Sequence, residues 1–261
     1  MPHHRLAHVL FLLGCVAVIA PASRAEALCA MPVPSGRIVT PLERPVPRDG
    51  SLLVALDYGY VRGGVPVTSG PNGELTLSHA AALVRGATRI PLTPTTLPGG
   101  LVRLDFARAP ADGEYTVEGL TPEGVTLPRL TIGGTLAAAP ADPGLARVTH
   151  FERRESREAS RGRIELLHYV TRVRLTRAVP GAYSFVVLEP VGGGDVQLID
   201  VGTGGTELLA EATLGGRCGS PTVTGRGQVR VGSEVRALVV DMYGRVSTPG
   251  GTVRVLRGRA P

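Results

Sequence analysis

The chain has 261 residues and a formal charge of +6, and its apolar fraction of 43% is large enough to bury one or two cores. All of its basic side chains apart from histidine are arginines. Without lysine it cannot form a phosphate-binding loop of the GK[ST] type, a Schiff base or a serine–lysine catalytic pair. Its 35 glycines and 22 prolines separate many short β-branched runs, a pattern typical of an all-β protein.

The first 25 residues are predicted to be a signal peptide. Val9–Ala20 is an apolar run too short to span a bilayer comfortably, and small residues follow it up to cleavage positions after Ala25 or Ala27. We therefore expect an exported protein in the periplasm, on the outer surface or in the medium, with no transmembrane helix in the mature chain. An alternative is a lipoprotein, because Leu12–Cys15 resembles a bacterial lipobox that would lipidate Cys15.

Cleavage of this peptide leaves two cysteines, Cys29 and Cys218. An even pair in an exported protein predicts a disulfide, because that compartment is oxidising. Closing so long a loop would stabilise the fold by roughly 4–5 kcal/mol in the chain-entropy description. The alternative is two free thiols.

Residues 30–134 are predicted to form a first β-domain. Met31–Pro47 holds five prolines and is expected to be extended, with at most an edge strand near Arg37–Thr40. At Ala80–Val84 the sequence does not distinguish a helical turn from a strand. Alternating strands are predicted at Ser51–Asp57, Glu74–Leu77, Thr88–Leu92, Leu101–Phe106, Glu114–Glu118 and Leu127–Ile132.

This half of the chain resembles bacterial immunoglobulin-like domains. The resemblance is carried by the series PVPRDGSLLVAL, RIPLTP, LVRLDF and APADGEYTV, and Tyr115 lies where that family has a tyrosine in a late strand. The resemblance implies a β-sandwich that acts as a binding, spacer or adhesion module. The fold by itself fixes no activity.

Thr135–Gly144 is rich in alanine and proline and is predicted to be a linker. Residues 145–258 are then predicted to form a second sandwich, because short alternating strands recur at intervals typical of that architecture. These strands are expected at Leu145–Phe151, Ile164–Arg177, Ala182–Leu188, Val196–Val201, Glu207–Thr213 and Gln228–Val231.

A dense run of both charges, Glu152–Arg163, interrupts this pattern. Its glutamates are spaced three apart, which favours a short exposed helix or a charged loop. An arginine patch for an anionic polymer is the alternative, but interleaved glutamates and the lack of aromatic residues count against it.

The segment Arg230–Ser247 is predicted to be a hairpin with a tight turn at Asp241–Gly244. Aspartate at the first turn position can bond its own backbone, and glycine at the fourth suits a type I turn. The sequence VRALVVDMYGRVSTP resembles the ending of fibronectin type III-like and immunoglobulin-like bacterial modules. The matching residues are Asp241, Gly244, Ser247 and Pro249. The resemblance implies that this hairpin closes a C-terminal sandwich.

The fold class expected is thus all-β, with two immunoglobulin-like β-sandwich domains in tandem after the signal peptide. The mature chain has no HxxxH, HExxH, CxxC or GxSxG spacing, so we predict no catalytic residue, no metal ligand and no cofactor.

The predicted function is that of an exported, non-catalytic cell-envelope or secreted protein, acting as a binding, adhesion or structural module. Its partner is expected to be a protein or polysaccharide of the cell envelope, and not a nucleic acid. The alternative is an exported hydrolase, or an accessory domain to one, with a carboxylate site drawn from Asp57, Asp105 and Asp241.

Overall fold

The computed structural model of the chain describes residues 33–59, 64–71, 74–122, 125, 128–159, 162–180, 184–215 and 228–259. Within these ranges the chain forms sixteen strands in two sheets and no helix, so the prediction of an all-β fold is confirmed. A helix able to cross a membrane is accordingly not found in this part of the chain. The predicted signal peptide and the predicted Cys29–Cys218 disulfide lie outside the described residues, as does Cys15.

The first sheet has nine strands in the order β4-β3-β1-β2-β7-β6-β5-β8-β9. Their bounds are β1 Val33–Ile38, β2 Ser51–Gly59, β3 Val65–Ser69, β4 Leu75–Leu77, β5 Ala82–Arg85, β6 Thr88–Leu97, β7 Leu101–Phe106, β8 Gly113–Glu118 and β9 Arg129–Ile132. The predicted strands of this half are therefore confirmed, and the undecided segment at Ala80–Val84 contributes β5.

This sheet folds over into two layers, and β6 connects them. The first part of β6 pairs with β5, and the part from Leu92 onward pairs with β7. Apolar side chains from the two layers meet in one core that includes Leu52, Leu104, Leu83 and Val117. Alternation along each strand places one set of side chains in this core and the other set outside it.

The proline-rich entry segment differs from expectation. Its prolines predict an edge strand at most. In the structure β1 pairs along its whole length with β2 and also with β3 through Ser35 and Gly36, so β1 lies inside the sheet. The contact with β3 is limited to these two residues, so Pro34 does not have to donate a hydrogen bond to it.

The second sheet has seven strands in the order β13-β12-β15-β16-β10-β11-β14. Their bounds are β10 Leu145–Ala159, β11 Gly162–Pro180, β12 Phe185–Pro190, β13 Gln197–Asp200, β14 Gly204–Gly215, β15 Glu234–Val240 and β16 Val253–Arg257. Strand β10 pairs in parallel with β16 and antiparallel with β11, so it joins two layers. Their common core includes Val173 and Leu208 from one layer and Val186 and Val239 from the other.

The prediction of a helix or loop for the charged run was wrong. Residues up to Ala159 belong to β10, and β11 begins at Gly162, so the run contributes the second half of β10 and the beginning of β11. The three-residue spacing of its glutamates suits a helix, but the pairing of β10 with β11 makes this segment a strand. Here β11 pairs with every residue of β10 from Arg147 to Ala159, including Glu158 opposite Arg163.

A third apolar cluster lies between the two sheets. It is formed by Val39, Leu53, Ala55, Leu101, Phe185, Val187, Leu238 and Val240, all of them buried. Because Leu52 and Val54 are buried in the first core, β2 is covered on both faces, and β15 is covered in the same way. Residues Pro32–Pro261 accordingly form one compact unit.

The turn at Asp241–Gly244 lies at this junction. Its predicted geometry is confirmed, since Gly244 N donates to Asp241 O at 2.9 Å and Tyr243 N donates to Asp241 Oδ1 at 3.0 Å. Thr40, which lies between β1 and β2, donates from Oγ1 to Met242 O at 2.7 Å, and Tyr243 packs against the first core. Burial raises the pKa of the Tyr243 phenol above its ordinary value.

Candidate functional site

A groove of about 720 Å³ lies on the outer face of the second sheet. Its lining combines five arginines with a single acid: the residues are Arg147, Thr149, Phe151, Val170, Arg172, Val173, Arg174, Glu207, Leu208, Leu209, Arg257, Gly258 and Arg259. We call it the arginine groove.

The period of β-strands places these arginines on one face. On β10, Val148 and His150 are buried, so Arg147, Thr149 and Phe151 point the other way. The register with β11 sets Arg147 opposite Arg174, Thr149 opposite Arg172, and Phe151 opposite Val170. The floor thus carries guanidinium groups at one end and an apolar pair at the other.

Two walls bound this floor. On one side β14 places Glu207 opposite Arg174 and Leu209 opposite Arg172, and Leu209 is 50% exposed. On the other side the chain continues from β16 through Arg257 to Arg259, and Gly258 N donates to the backbone oxygen of His150 at 2.8 Å. That hydrogen bond keeps the last arginines beside β10.

The charges of the groove are poorly compensated. Arg174 and Glu207 are 4.0 Å apart with both side chains largely exposed, which is a weak interaction. Within the described part of the chain, no ion pair involves Arg147, Arg172 or Arg257. Like charges directly opposite each other on a sheet are unfavourable, so an anion between Arg147 and Arg174 would relieve repulsion. Guanidinium forks also bind carboxylate and phosphate groups through paired hydrogen bonds.

A buried polar network lies on the inner face of the same two strands. The Nδ1 of His150 is 2.9 Å from Thr171 Oγ1, which is 3.0 Å from Gln197 Nε2. Burial lowers the pKa of His150, and the nearby Glu152 partly opposes that shift. The imidazole is therefore neutral at pH 7, and its hydrogen bonds fix the inner side of the groove floor.

The three carboxylates of the hydrolase hypothesis do not meet in one site, because Asp57 lies far from Asp105. Asp105 lies opposite Ser51, at the start of β2, whereas Asp57 lies near its end, about 20 Å away at 3.3 Å per residue. Asp105 interacts with Arg103 at 2.9 Å, and Asp241 interacts with Arg245 at 2.6 Å while it also closes its own turn. No group of three metal-ligating side chains is found among the described residues.

The arginine groove was not identified from the sequence, although one signal was present. In the strand RVRLTR, the residues alternating with the predicted core positions Val173 and Leu175 are arginines. Two successive arginines on the outward face of a predicted strand, Arg172 and Arg174, are a signal of an anion site. The contributions from Arg147 and Arg257 depend on strand pairing, which the sequence does not state.

Comparison with known proteins gives little guidance. No family model matches the chain, and no curated protein matches it. A solved structure described as "Biofilm associated protein - BSP domain" aligns with 88% of this chain at 10% identity and a TM-score of 0.22. The chain spans 30% of that structure's length, and a TM-score this low does not identify a shared fold.

Proposed function

We propose that the chain is an exported, non-catalytic binding module of the cell envelope or the extracellular space, and that it holds an anionic ligand in the arginine groove. Export is proposed from the N-terminal apolar segment and the cleavage positions that follow it. The groove is the observation that carries the binding function, because it gathers uncompensated guanidinium groups in one concavity.

The strand order supports an immunoglobulin-like architecture for the first sandwich. One layer has the order β1-β2-β7-β6 and the other β5-β8-β9, which agrees with the ABED and CFG sheets of that fold. Val46 also forms a parallel bridge with Ile132 of β9. In addition, Tyr115 near the start of β8 donates from its hydroxyl to Ala111 O at 3.0 Å, as in the tyrosine corner of these domains.

The second sandwich is proposed to be a variant of the same architecture, with residues 30–134 and 145–258 as tandem domains and 135–144 as the segment between them. That segment is held by both sides: Leu136 N donates to Asp49 Oδ1 at 3.0 Å, and Arg245 Nη1 donates to Ala137 O at 2.6 Å. Together with the apolar cluster between the sheets, these contacts support a fixed arrangement of the two sandwiches.

A structural role for the first sandwich follows from this arrangement. It covers the outer faces of β12 and β15, whereas the arginine groove lies on the opposite layer of the second sandwich. The first sandwich would therefore support the binding domain without obstructing its ligand.

The test is binding of the purified full chain to immobilised dextran sulfate, with neutral dextran as the reference surface. The Arg172→Gln/Arg174→Gln variant removes two groove charges, and Arg108→Gln/Arg129→Gln removes two exposed arginines of the first half. We expect the groove variant to lose at least about tenfold in affinity, since charge-assisted hydrogen bonds are lost, and the control to lose about twofold or less. Equal losses in the two variants, or equal binding to neutral dextran, would contradict the proposed function.

A further inference from the structure

We infer that the ligand of the arginine groove is an acidic oligosaccharide, a short chain of sugar rings that carry anionic groups. This inference rests on the proposed function and specifies its ligand. The groove pairs its guanidinium groups with exposed apolar surface, and each part of that surface fits a different part of such a ligand.

The apolar part of the groove argues against a small inorganic anion as the ligand. Phe151 and Val170 lie side by side on the floor, and Leu209 rises from the wall next to Arg172. A small inorganic anion would use the arginines and leave these side chains in water. A sugar ring has an apolar face formed by its C–H groups, which can cover the Phe151 ring while its acidic substituent reaches the arginines.

The backbone of the groove argues against an extended peptide. Peptides that bind as strands form main-chain hydrogen bonds with a free sheet edge. Along the groove the floor strands are paired on both sides, because β10 pairs with β16 over Val148–His150 and β11 pairs with β14. The edge strands of this sheet are β13 and β14, and on β14, which lines the groove, Glu207 would repel an acidic strand. Recognition inside the groove must therefore come from side chains.

The shape of the site argues against a flat anionic surface such as a membrane. The arginines line a concavity between the β14 wall and the Arg257–Arg259 segment. A volume of about 720 Å³ also falls within the roughly 300–1,000 Å³ typical of small-ligand pockets. A chain of a few sugar rings can enter a groove of this kind.

The experiment is isothermal titration calorimetry of the full chain with tri-galacturonic acid and with its fully methyl-esterified form. The two probes have the same rings and differ in charge. We expect binding of the acid, and at least about tenfold weaker binding of the ester, since the ester cannot accept charge-assisted hydrogen bonds. A sulfated trisaccharide is the third probe, and it separates carboxylate from sulfate as the anionic group.

Two groove variants and one control test the two parts of the site. Arg172→Gln should weaken binding of the acid by about tenfold to a hundredfold. Phe151→Leu keeps an apolar floor and the charges but removes the ring, and should weaken binding by about threefold to tenfold. Arg108→Gln, which removes a remote exposed arginine, should leave binding within about twofold. Circular dichroism spectra that superimpose would show that all three variants are folded.

Several results would overturn the inference. The inference fails if the chain binds the acid and its ester equally, or if Phe151→Leu binds the acid as well as the unaltered chain does. It also fails if neither acidic trisaccharide binds. Preferential binding of anionic phospholipid vesicles or of oligodeoxythymidylate through Arg172 would also overturn it, while the proposed anion-binding function would stand. If dextran sulfate does not bind either, the proposed function fails as well.

Discussion

Replacing Gly244 by alanine should weaken the junction between the two sandwiches. Gly244 is buried at the end of the turn at Asp241–Gly244 and has a φ of +72°. A Cβ atom there would lie 2.9 Å from Arg103 Cβ and 2.7 Å from Arg103 Cγ. The β-carbon of a strand residue cannot rotate away, so either β7 or the turn must move.

Two costs add in this variant. Placing an L-residue with a side chain in the left-handed region costs about 1–2 kcal/mol. Crowding at a packed contact typically costs about 1–3 kcal/mol more. We therefore expect Gly244→Ala to lower the free energy of unfolding by about 2–5 kcal/mol.

Gly202→Ala is the matched control. Gly202 also has a positive φ, +60°, and lies in a turn of the second sheet, but no atom is within 4 Å of its Cβ position. It should show only the backbone cost, about 1–2 kcal/mol. Urea unfolding followed by circular dichroism measures both variants, provided that the slope against urea is unchanged. If Gly244→Ala costs no more than Gly202→Ala, the close approach to Arg103 does not tighten the junction.

Three further predictions concern single contacts. Tyr115→Phe removes the hydroxyl that donates to Ala111 O and should lower the free energy of unfolding by about 1 kcal/mol, measured by the same urea titration. Thiol titration of the denatured, unreduced protein should find no free thiol if Cys29 and Cys218 are bridged, and two titratable thiols would refute the bridge. Because burial lowers the pKa of His150, the unfolded chain binds that proton more readily. Its contribution to stability is complete above the ordinary value of 6.5 and is lost as the pH falls towards the lowered value. Thermal unfolding from pH 8 to pH 4.5 should show this loss, and His150→Gln should reduce it; an equal loss in the variant would contradict the assignment.

The sequence specified the local elements of this protein better than their partners. Period-two alternation located most strands, and the turn at Asp241–Gly244 follows from the turn chemistry of aspartate and glycine. The run Glu152–Arg163 does not form the helix or loop that its spacing predicts, because that spacing is a local property and the pairing with β11 is not. The residues of one strand do not specify which other strand will pair with it.

The arginine groove and the junction cannot be predicted from the sequence for the same reason, because both depend on which elements come together. Arg147 and Arg174 become neighbours only through the register of β10 with β11. The sequence carries only a weak signal of the junction. Leu52–Leu56 is apolar at every position, and a strand buried on both faces is expected to lack alternation. Its partner surface on β12 lies far along the chain and carries no sign of what it covers.

The two layers of the second sandwich differ in the side chains on their outer faces. The layer that contains β12 and β15 is apolar outside as well as inside at Phe185, Val187, Leu238 and Val240, because these side chains pack on the first sandwich. The outer face of the layer that contains β10 and β11 carries Arg147 and Arg172 beside a smaller apolar part that includes Phe151. The groove arginines therefore lie on a face that the first sandwich leaves open. A ligand held there would lie on the far side of the second core from the junction, so groove variants should alter binding without loosening the two sandwiches.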